Sequence, residues 1–141
     1  MNTATTDDER GAAAMTDPAR TERMGTAIAT EVAALDASTV VCWDVSEDAV
    51  LAHVVARELG VDLVRAVEIE GIVALLQPIV DGARVVLVAE TFRARTGLAG
   101  LSGVVTHAGG VVVAVGAATG VVEAAGTEAA DARVVRPDDA R

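Results

Sequence analysis

Apolar positions along this chain fall into two alternating kinds of run. Short runs rich in β-branched residues occur at 39–43 (TVVCW), 63–67 (LVRAV), 85–89 (VVLVA), 111–115 (VVVAV) and 133–135 (RVV). Runs of this length and composition predict strands, and the nearly continuous ones predict strands covered on both faces. Between them, apolar residues recur every three or four places: Met24, Ile28, Val32 and Leu35; then Val50, Leu51, Val54, Val55 and Leu59; then Leu98, Leu101, Val104 and Val105. That spacing predicts helices with one buried stripe each. Punctuation agrees. Thr16-Asp17-Pro18 opens a helix over 18–35, and Ser46 with Glu47 and Asp48 reads as an N-cap followed by acids in the first turn. Gly60 closes the second helix, and Gly109 with Gly110 closes the third. Ile72, Val73, Leu75, Leu76 and Ile79 predict a short helix within 71–79, ended near Gln77 by Pro78. One helical turn is expected at 121–125.

Strands alternating with helices predict an α/β fold with right-handed crossovers. The expected architecture is a doubly wound parallel sheet of about five strands. Its order is 2-1-3-4-5, with helices on both faces. The chain then reverses direction between the first and third strands. Ligands in such sheets bind at that switch point, beyond the carboxyl ends of the strands. The loops at 44–47 and 90–96 therefore line the expected site. One domain is expected over 17–136. Residues 1–16, without periodicity and rich in Thr, Asp, Ala and Gly, read as a disordered tail, and 137–141 as a polar C-terminal tail.

Composition narrows the chemistry. With 141 residues the chain suits one core. Trp43 and Phe92 are its only aromatics, so the core must be built from Val, Ala, Leu and Ile. The formal net charge is −10, and every base is arginine, which argues against a nucleic-acid footprint. Cys42 is the single cysteine, so neither a disulfide framework nor a cysteine-based zinc site is available. No apolar run approaches the ~20 residues of a membrane helix, and no signal-peptide pattern opens the chain. The expectation is a cytoplasmic protein with no membrane partner. His53 and His107 lack a metal-ligand partner at useful spacing, and no metal site is assigned.

The stretch 85–115 resembles the ribose-phosphate loop of the type I phosphoribosyltransferases, and the frame of the resemblance extends over 39–135. In that family an apolar strand leads to two acids, then to a Thr-Gly-containing turn that opens a helix. Here 85–88 matches the strand, Ala89 and Glu90 fall on the acidic pair, and Arg93, Ala94, Arg95, Thr96 and Gly97 fall on the phosphate turn. The resemblance implies that Glu90 holds the ribose as the catalytic-site acid. It implies that Thr91 and the Arg93 to Gly97 turn hold the 5-phosphate, with Val45 and Ser46 in the pyrophosphate loop. Backbone N–H groups at a helix N-terminus and arginine side chains suit a phosphate. The departures all fall on functional positions. Ala89 replaces the first acid and Arg95 replaces a turn glycine. Asp44, Glu47 and Asp48 stand in the pyrophosphate loop, Glu68 stands where a base is usual, and the segment before the third strand is short and apolar. Two readings follow. One is a degenerate, non-catalytic member that binds a phosphorylated ribose metabolite, a nucleotide or a partner protein. The other is an active enzyme that transfers ribose 5-phosphate from phosphoribosyl pyrophosphate to a purine or pyrimidine base, with Mg²⁺. A homodimer is expected from the family resemblance and from the apolar circumference of the 71–79 segment.

Overall fold

The computed structural model describes residues 15–93 and 97–137. Of the tails expected over 1–16 and 137–141, residues 1–14 and 138–141 lie outside the described residues, as do the turn residues Ala94, Arg95 and Thr96. In chain order the elements are α1 (Pro18–Val32) with a 3₁₀ turn (Ala33–Leu35), β1 (Thr39–Trp43), α2 (Ser46–Leu59), β2 (Asp62–Ile69), β3 (Ile72–Leu75), β4 (Arg84–Ala89), α3 (Gly97–His107), β5 (Val111–Ala117) and β6 (Arg133–Val135).

The six strands form one sheet in the order β3-β2-β1-β4-β5-β6. All neighbours are parallel except β2 and β3. Without β3, this is the predicted order 2-1-3-4-5. The two faces of β4 divide the core. Val86 and Val88 join Met24, Ile28 and Val32 of α1 and Leu51 and Val55 of α2 on one face. Val85, Leu87 and Ala89 join Leu98, Leu101 and Val105 of α3 on the other. Both faces are covered, which is why β4 reads as an unbroken apolar run.

Three local expectations are corrected. The segment 71–79 is not a helix. Glu70 and Gly71 both take positive φ, 52° and 82°, and so form the tight turn that matches the twist of a hairpin. β3 then runs antiparallel to β2, with Ile69 opposite Ile72 and Ala66 opposite Leu75. Val73 and Leu75 turn toward the α3 face of the core, while Ile72 and Ala74 are exposed. Residues 121–125 form no helical turn; the segment crosses to β6 as loop, with Val122 and Ala124 packed on the core. Ser46 does not cap α2: Val45 holds the cap position with extended φ and ψ, makes no side-chain cap bond, and Ser46 is the first helical residue. The other boundaries follow the expected chemistry. The Asp17 side chain accepts from Ala19 N–H with Pro18 in the first turn, and Gly60 ends α2 in the left-handed conformation at φ 71°. Among the described residues no helix is long and apolar enough to cross a membrane.

Candidate functional site

The sheet order reverses between β1 and β4, so the loops that leave these two strands face one crevice. Hydrogen bonds tie the loops together. The indole N–H of Trp43, at the end of β1, donates to the Gly97 carbonyl at the start of α3 (2.9 Å). The Glu90 N–H, just past β4, donates to Asp48 Oδ1 in the first turn of α2 (2.8 Å). Gly97 N–H donates back to the Arg93 carbonyl (3.3 Å). Trp43 lies across Gly100, where a Cβ would stand 3.4 Å from the indole ring, and so α3 rests on the aromatic.

Glu90 is 3% exposed. Thr119 Oγ1 donates to its Oε2 at 2.5 Å, and Thr119 N–H donates to its carbonyl at 2.8 Å. The second bond carries the β4–β5 pairing past the strand ends, since Ala118 N–H likewise meets the Ala89 carbonyl. Thr91 is half-buried, and its hydroxyl fills the place that a Cβ on Gly120 would take. Gly120 has φ 80°, so this position needs glycine on two counts.

Asp48 is 6% exposed. Burial pushes its carboxyl up to about 7, and the charges of Glu90 and Glu47 push the same way, while the Glu90 N–H and Arg93 pull it down. On the neighbouring strand β1, burial pushes the Cys42 thiol up to about 12, which leaves an inert core sulfur. Asp44 lies 3.5 Å from the Arg65 guanidinium of β2, both groups being well solvated. A base therefore does reach the crevice from β2, three positions before Glu68.

These placements bear on a metal. Among the described residues no three His, Cys, Asp or Glu side chains converge where a cation could sit. Asp48 turns into the protein and Asp44 faces Arg65. The acids after β1 therefore do not fit a dedicated Mg²⁺ site.

Beside the Arg93 end of α3 is a cavity of about 470 Å³. Phe92, Arg93, Leu98 and Ala99 bound it on one side, and Val121, Glu123 and Thr127 of the crossing segment bound it on the other. This is a size that takes a small organic ligand. Of the predicted residues, Arg93 lines this cavity; Glu90 and Thr91, ahead of it in the chain, meet Thr119 and Gly120, and Gly97 opens α3. Val45 and Ser46 sit exposed at the head of α2, across the Trp43 bridge. Sequence reasoning missed Thr119, Arg65 and the wall at 121–127. A threonine just past a strand and an arginine inside one carry no short-range signature, and the wall lacks periodicity.

No family model and no curated protein sequence matches the chain. Solved structures do match in fold. One is adenine phosphoribosyl transferase from Trypanosoma brucei, in complex with AMP, pyrophosphate and ribose-5-phosphate (18% identity, TM-score 0.69, covering 87% of this chain and 65% of that one). Another is orotate phosphoribosyltransferase from Aeropyrum pernix (17% identity, TM-score 0.67, 94% and 76%). A third is a Neisseria gonorrhoeae protein with bound ppGpp (12% identity, TM-score 0.56, 84% and 84%). At these identities the likeness is one of fold. The chain has the mostly parallel α/β fold of the phosphoribosyltransferase-like structures, and spans about two thirds of the trypanosomal enzyme's length.

Proposed function

We propose that this chain is a phosphoribosyltransferase-like binder of a phosphorylated ribose compound, ribose 5-phosphate or a nucleotide, that does not turn its ligand over. The observation that carries this reading is the cavity beside Arg93 and the N-terminal end of α3, at the carboxyl edge of a parallel sheet. The arginine and the helix end supply positive potential for a phosphate, and Phe92, Leu98 and Val121 supply apolar wall for the rest. The neighbours bound to AMP with ribose-5-phosphate and to ppGpp support that ligand class.

The absence of turnover rests on what the crevice has lost. Ala89 offers no acceptor for a second ribose hydroxyl. Glu90 is buried. Among the described residues the acids after β1 gather no cation for a pyrophosphate, and a like-charge contact at short range near a protein surface costs several kcal/mol, which disfavours tight pyrophosphate binding there. The competing reading is active transfer to a purine or pyrimidine base, with Mg²⁺ arriving on the oxygens of phosphoribosyl pyrophosphate.

Thermal melting separates the two. Ribose 5-phosphate or a nucleoside monophosphate at a hundredfold excess over its Kd should stabilise the fold by about 2.7 kcal/mol. Arg93→Ala should weaken that binding at least tenfold, the scale of a charge-assisted hydrogen bond. Pyrophosphate release from phosphoribosyl pyrophosphate with any base, abolished by Glu90→Ala, would restore the enzyme reading. No shift with any phosphate compound would leave neither reading standing and would direct the search to a protein partner.

The partner we assign on the protein side is a second copy of this chain. The expected apolar helix over 71–79 is instead the edge strand β3, whose outer side has no neighbour in the sheet among the described residues. Ile69 and Ile72, paired across the hairpin, are 64% and 72% exposed. An antiparallel pairing of two β3 edges about a two-fold axis would cover them and make one continuous sheet.

A further inference from the structure

Trp43 reaches α3 from a base that the sheet fixes. It stands opposite Ala66 of β2, and the next residue, Asp44, donates its N–H to the Ala66 carbonyl (2.8 Å). From there the half-buried indole spans to the start of α3, where its N–H meets the Gly97 carbonyl (2.9 Å). The edge of the ring lies 3.4 Å from the place a Cβ on Gly100 would take, and Val73 of β3 lies 3.6 Å from the same place. Leu98 and Ala99, between those two glycines, line the cavity beside Arg93. The first turn of α3 thus has an aromatic against one side and the cavity against another.

Local propensity does little to hold that turn. Three of the first seven residues of α3 are glycine, at 97, 100 and 103, and glycine is among the poorest residues for a helix interior. The indole leaves little room for a side chain at Gly100, so the weakness at 100 and the bond at 97 come from the same aromatic. A helix end offers its N–H groups and positive potential to an anion only while its first turn is wound.

We propose that Trp43 is a positioning residue for a phosphorylated ligand: its bond to Gly97 keeps the first turn of α3 wound at the cavity, and the ligand binds more weakly without that bond. The inference rests on the phosphate reading of the cavity and adds the group on a different strand that shapes it. Trp43 is not among the residues that line the cavity, so it acts through α3 and not by touching the ligand.

Trp43 is the only tryptophan in the chain, so a tryptophan analogue supplied during expression alters this position alone. Benzothienylalanine keeps the size and shape of the indole and puts sulfur in place of the N–H. In titration calorimetry the benzothienyl protein should bind ribose 5-phosphate about two- to tenfold more weakly than the natural chain, the range of one hydrogen bond. A fluorotryptophan, which keeps the N–H, should leave the Kd at the parent value. Amide hydrogen exchange at 98–101 should quicken in the benzothienyl protein, while exchange in β4 stays the same. A lower melting temperature with the parent Kd would mean that the indole only packs the core; that result overturns the inference while the phosphate reading stands. Weaker binding with unchanged exchange at 98–101 overturns it as well. If the natural chain binds neither ribose 5-phosphate nor a nucleoside monophosphate, the phosphate reading and the inference fall together. Should the benzothienyl protein not fold, Trp43→Phe, which keeps a ring over Gly100 and lacks the N–H, carries the same expected and overturning results.

Discussion

The residue that most clearly sets itself against its surroundings is Asp48. Its carboxyl is buried and pushed up to about 7 from an ordinary value of 3.8, so the folded state holds a proton that the unfolded chain has released. Stability from this group is fully present below about 4 and is lost as pH rises toward 7, with a limiting slope of about 1.4 kcal/mol per pH unit. Asp48→Asn keeps an oxygen for the Glu90 N–H and cannot titrate. Urea melts of the two proteins between pH 4 and 8 should diverge, the natural chain gaining on Asp48→Asn as pH falls through that window. A stability difference that stays flat across it would show that Asp48 is ionised in the fold. Sequence reading placed this aspartate in the first turn of a helix, where an acid matches the dipole, and in the loop that the resemblance gives to pyrophosphate. Its burial follows from register: the same turn faces the end of β4, and Asp48 is the side chain within reach of the Glu90 N–H. Register between distant segments leaves no mark in a local pattern. Glu90 itself was legible as a site position because the apolar run of β4 stops there, but Thr119, its donor, is 29 residues away.

Among the elements, the buried parallel strands and the capped helices were legible, because each satisfies its own local rules as well as the fold's. The hairpin was not. Ile72, Val73, Leu75 and Leu76 fit helical spacing, and the signal that overrules it is Glu70-Gly71, a weaker turn pair than Asn-Gly. Two glycines that look alike in sequence also part ways in the structure. A Cβ on Gly25 of α1 would stand 2.5 Å from Val54 Cγ1 and 2.6 Å from Val54 Cβ on α2, so this glycine sets how closely the two helices pack. Gly103 of α3 has nothing within 4 Å of its Cβ position. Gly25→Ala gains helix propensity of up to about 1 kcal/mol but overpacks the contact by about 1–3 kcal/mol, and a net loss of stability is expected. Gly103→Ala should gain about 0.5–1 kcal/mol. Adding Val54→Ala to Gly25→Ala should recover part of the loss, a coupling that a double-mutant cycle measures directly. Additivity of the two changes would mean that the helices separate instead of clashing.

At the scale of the whole molecule, the two ends of the sheet are unequal. At one end β6 is three residues long and lies near α1, where Arg133 pairs with Glu31 at 2.8 Å. At the other end β3 has no strand beyond it among the described residues and offers an apolar outer face, with Ile69, Ile72 and Leu76 all exposed. An edge with β-branched residues and no charge within Ile72–Leu75 is the kind that proteins cover or blunt. A net charge of −10 keeps copies apart at long range, so pairing at β3 should tighten as salt screens that repulsion. Sedimentation equilibrium should give a dimer mass at high micromolar concentration, with a dissociation constant that falls from 50 to 500 mM salt. Ile72→Lys puts a charge on the two-fold contact from a position that is 72% exposed. It should leave the melting curve of the monomer unchanged while abolishing the dimer. A monomer mass for the natural chain at every salt concentration would remove the second copy as partner. The bare β3 edge would then need a different occupant.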